Sequence, residues 1–141
     1  MAVTASSTKG KLEFTIDDRE KVNAKSVTCN MYGPRFIELK GAVESDWELE
    51  VDIAHDEDIR QGVTYKIDRS TQSSAAYTKQ GERWELQGKL ELTTFNLKGG
   101  IVNFDFELNT SDNEHKKYVR GNGDFIGINQ FSKKDSASGK L

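Results

Sequence analysis

The stretch from Trp84 to Asn109 constrains the fold of this chain more than any other. It reads Trp84-Glu85-Leu86-Gln87-Gly88-Lys89-Leu90-Glu91-Leu92, then a loop containing Gly99-Gly100, then Val102-Asn103-Phe104-Asp105-Phe106-Glu107-Leu108-Asn109. Apolar and polar residues alternate along both arms, the periodicity of a strand with one dry face and one wet face. Two such arms around a glycine-containing loop predict a β-hairpin. Its inner face is Trp84, Leu86, Leu90 and Leu92 on one arm and Val102, Phe104, Phe106 and Leu108 on the other. If Leu92 faces Val102 and Leu90 faces Phe104, then Gly88 lies opposite Phe106 and Lys89 opposite Asp105. A register shifted by two residues sets Glu91 against Asp105 and is disfavoured by charge.

The same alternation recurs along the chain. Lys11 to Asp17 turns Leu12, Phe14 and Ile16 inward, and Val22 to Tyr32 carries Val27, Cys29 and Met31 on one side. Gly33-Pro34 ends that strand, because proline brings no donor to a ladder. Arg35 to Ala42 places Ile37 and Leu39 inward, and Asp46 to Ile53 places Trp47, Leu49, Val51 and Ile53 inward. Val63 to Ile67, Ala75 to Thr78, Lys117 to Gly121 and Phe125 to Phe131 follow, with Gly121-Asn122-Gly123 predicting a bulge or tight bend. The one helical signal is His55 to Gly62, with Asp56 as N-cap and Gly62 as stop, long enough for a single turn.

About nine strands with turn signals between them predict an all-β, mostly antiparallel domain. The expected architecture is a single-domain antiparallel β-sandwich, with a closed lipocalin-like β-barrel as the alternative. The domain spans residues 10–131, between a flexible polar lead over 1–9 and a flexible tail over 132–141. Leu90, Leu92, Phe104, Phe106 and Trp47 are expected to be nearly inaccessible.

A net charge of −3 provides no field to gather phosphates, which argues against nucleic acid as a partner. Cys29 is the only cysteine, so no disulfide forms within the chain. No segment approaches the run of about 18 apolar residues that spans a membrane. As written the protein is expected to be soluble and cytoplasmic, or exported if a signal peptide has been removed.

Five segments, Gly62-Val63-Thr64-Tyr65, Ala75-Ala76-Tyr77, Gly88 to Phe95, Phe104-Asp105-Phe106 and Gly121 to Phe125, occur in an order that carries a resemblance. It is similar to that of uncharacterised small β-sandwich domains best known from lipoproteins of Bacteroidota. The chain departs from that family in having no lipoprotein signal, and in having Val102 where a glycine leads the Phe-x-Phe strand. The resemblance implies a bacterial β-sandwich with a binding or surface role, and it carries no catalytic residues across.

The acid cluster His55-Asp56-Glu57-Asp58 holds oxygen donors suited to Ca²⁺ at Asp56, Glu57 and Asp58, without the Asp-x-Asp-x-Asp-Gly spacing of a calcium loop. A capped turn explains these residues as well, so no metal or other cofactor is expected. Asp112-Asn113-Glu114-His115 is a second oxygen-rich loop with a turn explanation. The two histidines have no neighbouring serine or cysteine motif, and no catalytic residue is assigned. Carboxylate pairs such as Glu48 and Glu50, or Asp105 and Glu107, lie roughly 6.5 to 7 Å apart on a strand but on a wet, unconfined face.

Trp47, Trp84, Tyr65 and Tyr77 suit a sugar-stacking platform, yet the alternation sets both tryptophans with the leucines and so predicts core. Asp46, Glu48, Glu50 and Asp52 form a stripe on one strand. It is explained by cross-strand cations and solvent, and more sharply by a basic protein partner. The leading reading is a non-enzymatic binding or interaction module of unknown ligand. A small-molecule carrier of the lipocalin type and a hydrolase with paired carboxylates are the alternatives. An open inner cavity favours the carrier, and a filled core favours the module.

Overall fold

The computed structural model describes residues 8–110 and 116–131. Most of the lead, the whole tail and the loop Asp112-Asn113-Glu114-His115 lie outside these residues. Among the described residues eleven strands form: β1 (Lys9–Ile16), β2 (Glu20–Asn23), β3 (Ser26–Tyr32), β4 (Phe36–Glu44), β5 (Trp47–Ala54), β6 (Thr64–Ile67), β7 (Ser74–Lys79), β8 (Glu82–Asn96), β9 (Ile101–Thr110), β10 (Tyr118–Ile126) and β11 (Asn129–Phe131). The all-β expectation holds, with two corrections to the count: Val22 to Tyr32 breaks at Ala24-Lys25 into β2 and β3, and the last apolar stretch contributes a separate β11. The lead is shorter than expected, since Lys9 already belongs to β1 and Thr8 is buried.

The strands make one sheet in the order β11-β3-β4-β5-β7-β8-β9-β10-β1-β2, with β6 also paired to β8. All pairings are antiparallel except β11 with β3. A sandwich of two separate sheets is therefore not formed. The 15-residue β8 explains why. One of its edges pairs with β7 through Glu82–Leu86 and with β6 through Gly88–Glu91, while the other pairs with β9, so the ladder passes from one half of the molecule to the other without a break.

The sheet coils on itself. Phe14 of β1 and Tyr77 of β7 are four strands apart in sheet order, a path of about 19 Å at the usual strand spacing. Yet their rings meet edge to face with centroids 5.7 Å apart. The hydrogen-bonded path nevertheless stays open, which corrects the closed-barrel alternative. Ala24 N–H donates to Leu12 O (2.9 Å) and prolongs the β1–β2 ladder by one rung, whereas no strand pairing joins β1 to β3 among the described residues. The Thr8 hydroxyl accepts from Cys29 N–H (3.2 Å) and donates to Gly127 O (2.9 Å).

The inner face is filled by side chains. Leu90, Leu92, Phe104 and Phe106 are buried as expected, together with Phe14, Ile37, Leu49, Ile53, Ile67, Val102 and Phe125. Trp47 is only half-buried, and so is Trp84. The central hairpin adopts the register that charge disfavoured, with Leu90 opposite Phe106, Leu92 opposite Phe104 and Glu91 opposite Asp105. An irregularity between Leu92 and Thr94 sets Phe95 opposite Val102, so the strands run further toward the loop than simple alternation allows. A shift of two keeps the same residues on the apolar face, and the Glu91–Asp105 pair is solvent-exposed, where screening leaves its repulsion small.

Gly121-Asn122-Gly123 is not a bulge. β10 pairs without interruption to both β9 and β1, with Gly123 opposite Phe104 and Gly121 opposite Phe14. A Cβ at Gly123 would overlap the Phe104 ring, so the missing side chain is the space the phenylalanine occupies. His55 to Gly62 forms no helix. His55 N–H is bonded to Arg35 O (3.0 Å) and Ile59 N–H to Pro34 O (2.8 Å), which holds the segment open while Ile59 is buried. That tertiary burial overrides a helical signal one turn long.

Candidate functional site: an aromatic cleft at one end of the sheet

Each tryptophan lies near the start of its strand on the inward face, just after a tight turn. The β4–β5 turn contains Asp46 and the β7–β8 turn contains Gln80, both with positive φ, and Gln80 N–H donates to Asp46 O (2.8 Å). The core ends at this rim. A tryptophan here covers apolar neighbours with its ring and keeps its N–H near polar groups. The expectation that both tryptophans are core is thus half right: the face is correct, and the depth is not.

Tyr77 and Trp84 are directly opposite on β7 and β8, with ring centroids 5.0 Å apart. Trp47 Nε1–H donates to the Tyr77 hydroxyl (2.8 Å). Burial pushes the Tyr77 phenol above its ordinary pKa, the Trp47 hydrogen bond opposes this, and the nearby Glu20 adds to the rise. Two lysines sit against the indoles: Lys79 Nζ is 4.4 Å from the Trp47 centroid and Lys117 Nζ is 5.7 Å from that of Trp84. Each is also paired with a carboxylate, Lys79 with Glu20 (3.7 Å) and Lys117 with Asp17 (3.6 Å).

Between these groups lies a cleft of about 180 Å³ lined by Ile16, Glu20, Tyr77, Lys79, Glu82 and Trp84. It presents one aromatic wall, one aliphatic contact and charges of both signs. Of the proposed platform, Tyr77 and Trp84 come together, with Trp47 behind them. Tyr65 lies elsewhere, buried with its ring against His55 (5.3 Å) and its hydroxyl accepting from Arg60 N–H (3.1 Å).

A larger opening of about 510 Å³ lies where β8 changes partner from β7 to β6, against the loop from Asp68 to Ser73. Several of its polar groups are engaged within the protein. Asp68 accepts from Ser70 N–H (2.7 Å) and the Ser70 hydroxyl, and those bonds, with Lys66 nearby, hold its carboxyl below the usual range. Thr71 donates to Asp68 O (3.0 Å), and Ser73 bonds both N–H and O of Ala54.

The carboxylate stripe is divided by the structure. Asp46 sits in the turn, whereas Glu48, Glu50 and Asp52 are half-buried on the outer face of β5. Glu38 of β4, which the sequence reasoning did not include, stands opposite Asp52, and carboxylate oxygens of Glu38, Glu50 and Asp52 lie within 4.8 Å of one another. Lys40 approaches Glu50 (3.9 Å) and the Asn30 amide donates to Glu38 (2.8 Å). Arg83 is held above its ordinary pKa, first by its hydrogen bond to Glu85 and then by the charges of Glu85, Glu50 and Glu48.

Asp56, Glu57 and Asp58 are exposed and do not converge. Asp58 faces Arg35 (3.5 Å), Asp56 lies 3.6 Å from His55 Nδ1, and that same nitrogen accepts Glu57 N–H (3.2 Å). Asp105 and Glu107, with Glu91 and Lys89, line an open groove of about 210 Å³ on the outer face. Against family models, curated proteins and solved structures, the chain finds no match.

Proposed function

We propose that this chain is a non-enzymatic binding module that takes a small ligand in the cleft between Trp84 and Ile16. The observation that carries the reading is the pairing of a filled inner face with two tryptophans left half-exposed at its rim beside an open cleft. The half-exposed Trp84 ring, opposite Tyr77, offers the cleft an apolar face on which a ligand can stack. The packed interior favours a module over a carrier, since the inner face leaves its side chains no ligand to enclose. Two nucleophile or base candidates are otherwise engaged. Burial, with Glu38 nearby, pushes the Cys29 thiol up to about 12, so it is not a thiolate at neutral pH. The His55 ring is packed on Tyr65 and bonded to Glu57 N–H.

The test is a fragment screen read by NMR on the intact chain, following the two indole N–H resonances and the backbone amides. Binding at this cleft moves Trp84, Tyr77 and Lys79 together. Hits that move only residues of the Asp68–Ser73 loop, or none at all, would overturn the assignment.

A further inference from the structure

Resting on the reading just given, we infer that the ligand of the aromatic cleft is a single neutral pyranose ring. Three features of the cleft lead there. The first is size. At about 180 Å³ it lies below the roughly 300–1,000 Å³ of sites for drug-sized molecules, which leaves room for one ring and its substituents.

The second is the aromatic wall. Trp84 lines the cleft, while Lys117, the cation nearest its ring, does not, and at 5.7 Å it stands close to the limit of cation–π contact at about 6 Å. The other indole, Trp47, already carries Lys79 at 4.4 Å and is not part of the lining. The cleft-facing side of Trp84 is thus open, and a ring with an apolar C–H face can cover it with both lysines in place. The pyranose ring has such a face, and its hydroxyls project from the edge.

The third is the rim. Lys79 and Glu20 reach the cleft as an ion pair, and Glu82 reaches it exposed and without an ion pair among the described residues. Hydroxyl groups match this set, donating to carboxylates and accepting from the ammonium group. A negatively charged sugar would meet Glu20 and Glu82 with a single cation to offset them.

The experiment titrates the full chain with methyl β-D-glucopyranoside, methyl β-D-galactopyranoside and methyl α-D-mannopyranoside, and in parallel with sodium glucuronate and tetramethylammonium chloride. The chain's two tryptophans are both at this rim, so intrinsic fluorescence reports on it. At least one neutral pyranoside should give a saturable emission shift with a Kd on the order of millimolar, as suits a ligand of a dozen heavy atoms. Glucuronate should bind at least about threefold more weakly. Trp84→Ala should abolish the response. Glu82→Gln, which cannot disturb the fold through the core, should weaken it by about threefold or more, and Gln72→Ala in the other opening should leave it unchanged. Saturation by tetramethylammonium or by screened fragments, without any response to the three pyranosides, would overturn the sugar assignment and leave the binding reading standing. Silence of both the titrations and the fragment screen at Trp84 would overturn both.

Discussion

The packing of Phe104 against Gly123 can be tested by a double-mutant cycle. Phe104 is 2% exposed and meets Phe125 edge to face at 5.1 Å and Phe106 at 6.0 Å. Truncating it to alanine removes that burial and leaves a cavity, an expected loss of about 3–5 kcal/mol. Gly123→Ala alone places a methyl group where the Phe104 ring lies, and the ring, confined by its neighbours, has little room to yield. Overpacking of this kind costs about 1–3 kcal/mol.

In the Phe104→Ala background the obstacle is gone. Gly123 has ordinary extended backbone angles, so an alanine there is tolerated and limits the unfolded chain, which stabilises by about 0.4–1 kcal/mol. The second substitution should therefore change sign, with a coupling of about 1.4–4 kcal/mol between the two sites. Urea melts followed by circular dichroism give all four corners, with equal m-values required for the comparison. Phe104→Leu replaces Phe104→Ala if the latter does not fold. Additivity within about 0.5 kcal/mol would refute the claim that the glycine exists to seat the ring.

Two further outcomes follow from the charges and the buried thiol. With Cys29 raised from 9 to about 12 by burial, the unfolded chain releases the thiol proton above pH 9 while the folded chain keeps it, so this contribution to stability is complete below pH 9 and is lost between pH 9 and 12. Wild type should lose up to a few kcal/mol more than Cys29→Ala over that window, and the native thiol should resist a thiol reagent at pH 8; parallel pH slopes for the two proteins would contradict the buried assignment. Lys40→Gln removes the cation beside Glu50, in a pair whose side chains are only 35% and 29% exposed, and should cost about 1 kcal/mol at low salt and less in molar NaCl. Lys25→Gln, at the far more exposed pair with Glu44, should change little, and a Lys40 loss independent of salt would argue for packing instead of charge.

What the sequence determined was everything carried by a period of two. The alternations of β1, β3, β5, β8 and β9 identified the inward residues Leu12, Phe14, Cys29, Leu49, Leu90 and Phe104 correctly, because a strand with one buried face writes that face into every second position. The aromatic and charged residues that line the cleft were legible as types, with Trp84, Tyr77 and Trp47 named as a platform. The signal that places them at a rim was also present in the turns that precede both tryptophans.

What only the tertiary structure decided was how far each pattern extends and what it meets. The hairpin register turned on a local irregularity near Thr93, which a period of two does not encode, and one solvent-exposed carboxylate pair was too weak to oppose it. The helical turn expected at Asp56 yielded to Ile59, whose burial is a long-range contact. One coiled sheet instead of two separate sheets depends on β8 pairing with both β6 and β7, and Glu20, Lys79 and Trp84 share a cleft only because that coiling returns β2 to the neighbourhood of β8. Local chemistry sets the face of each residue, but contacts between strands distant in sequence depend on the path of the whole chain, and so on free energies summed over the entire core.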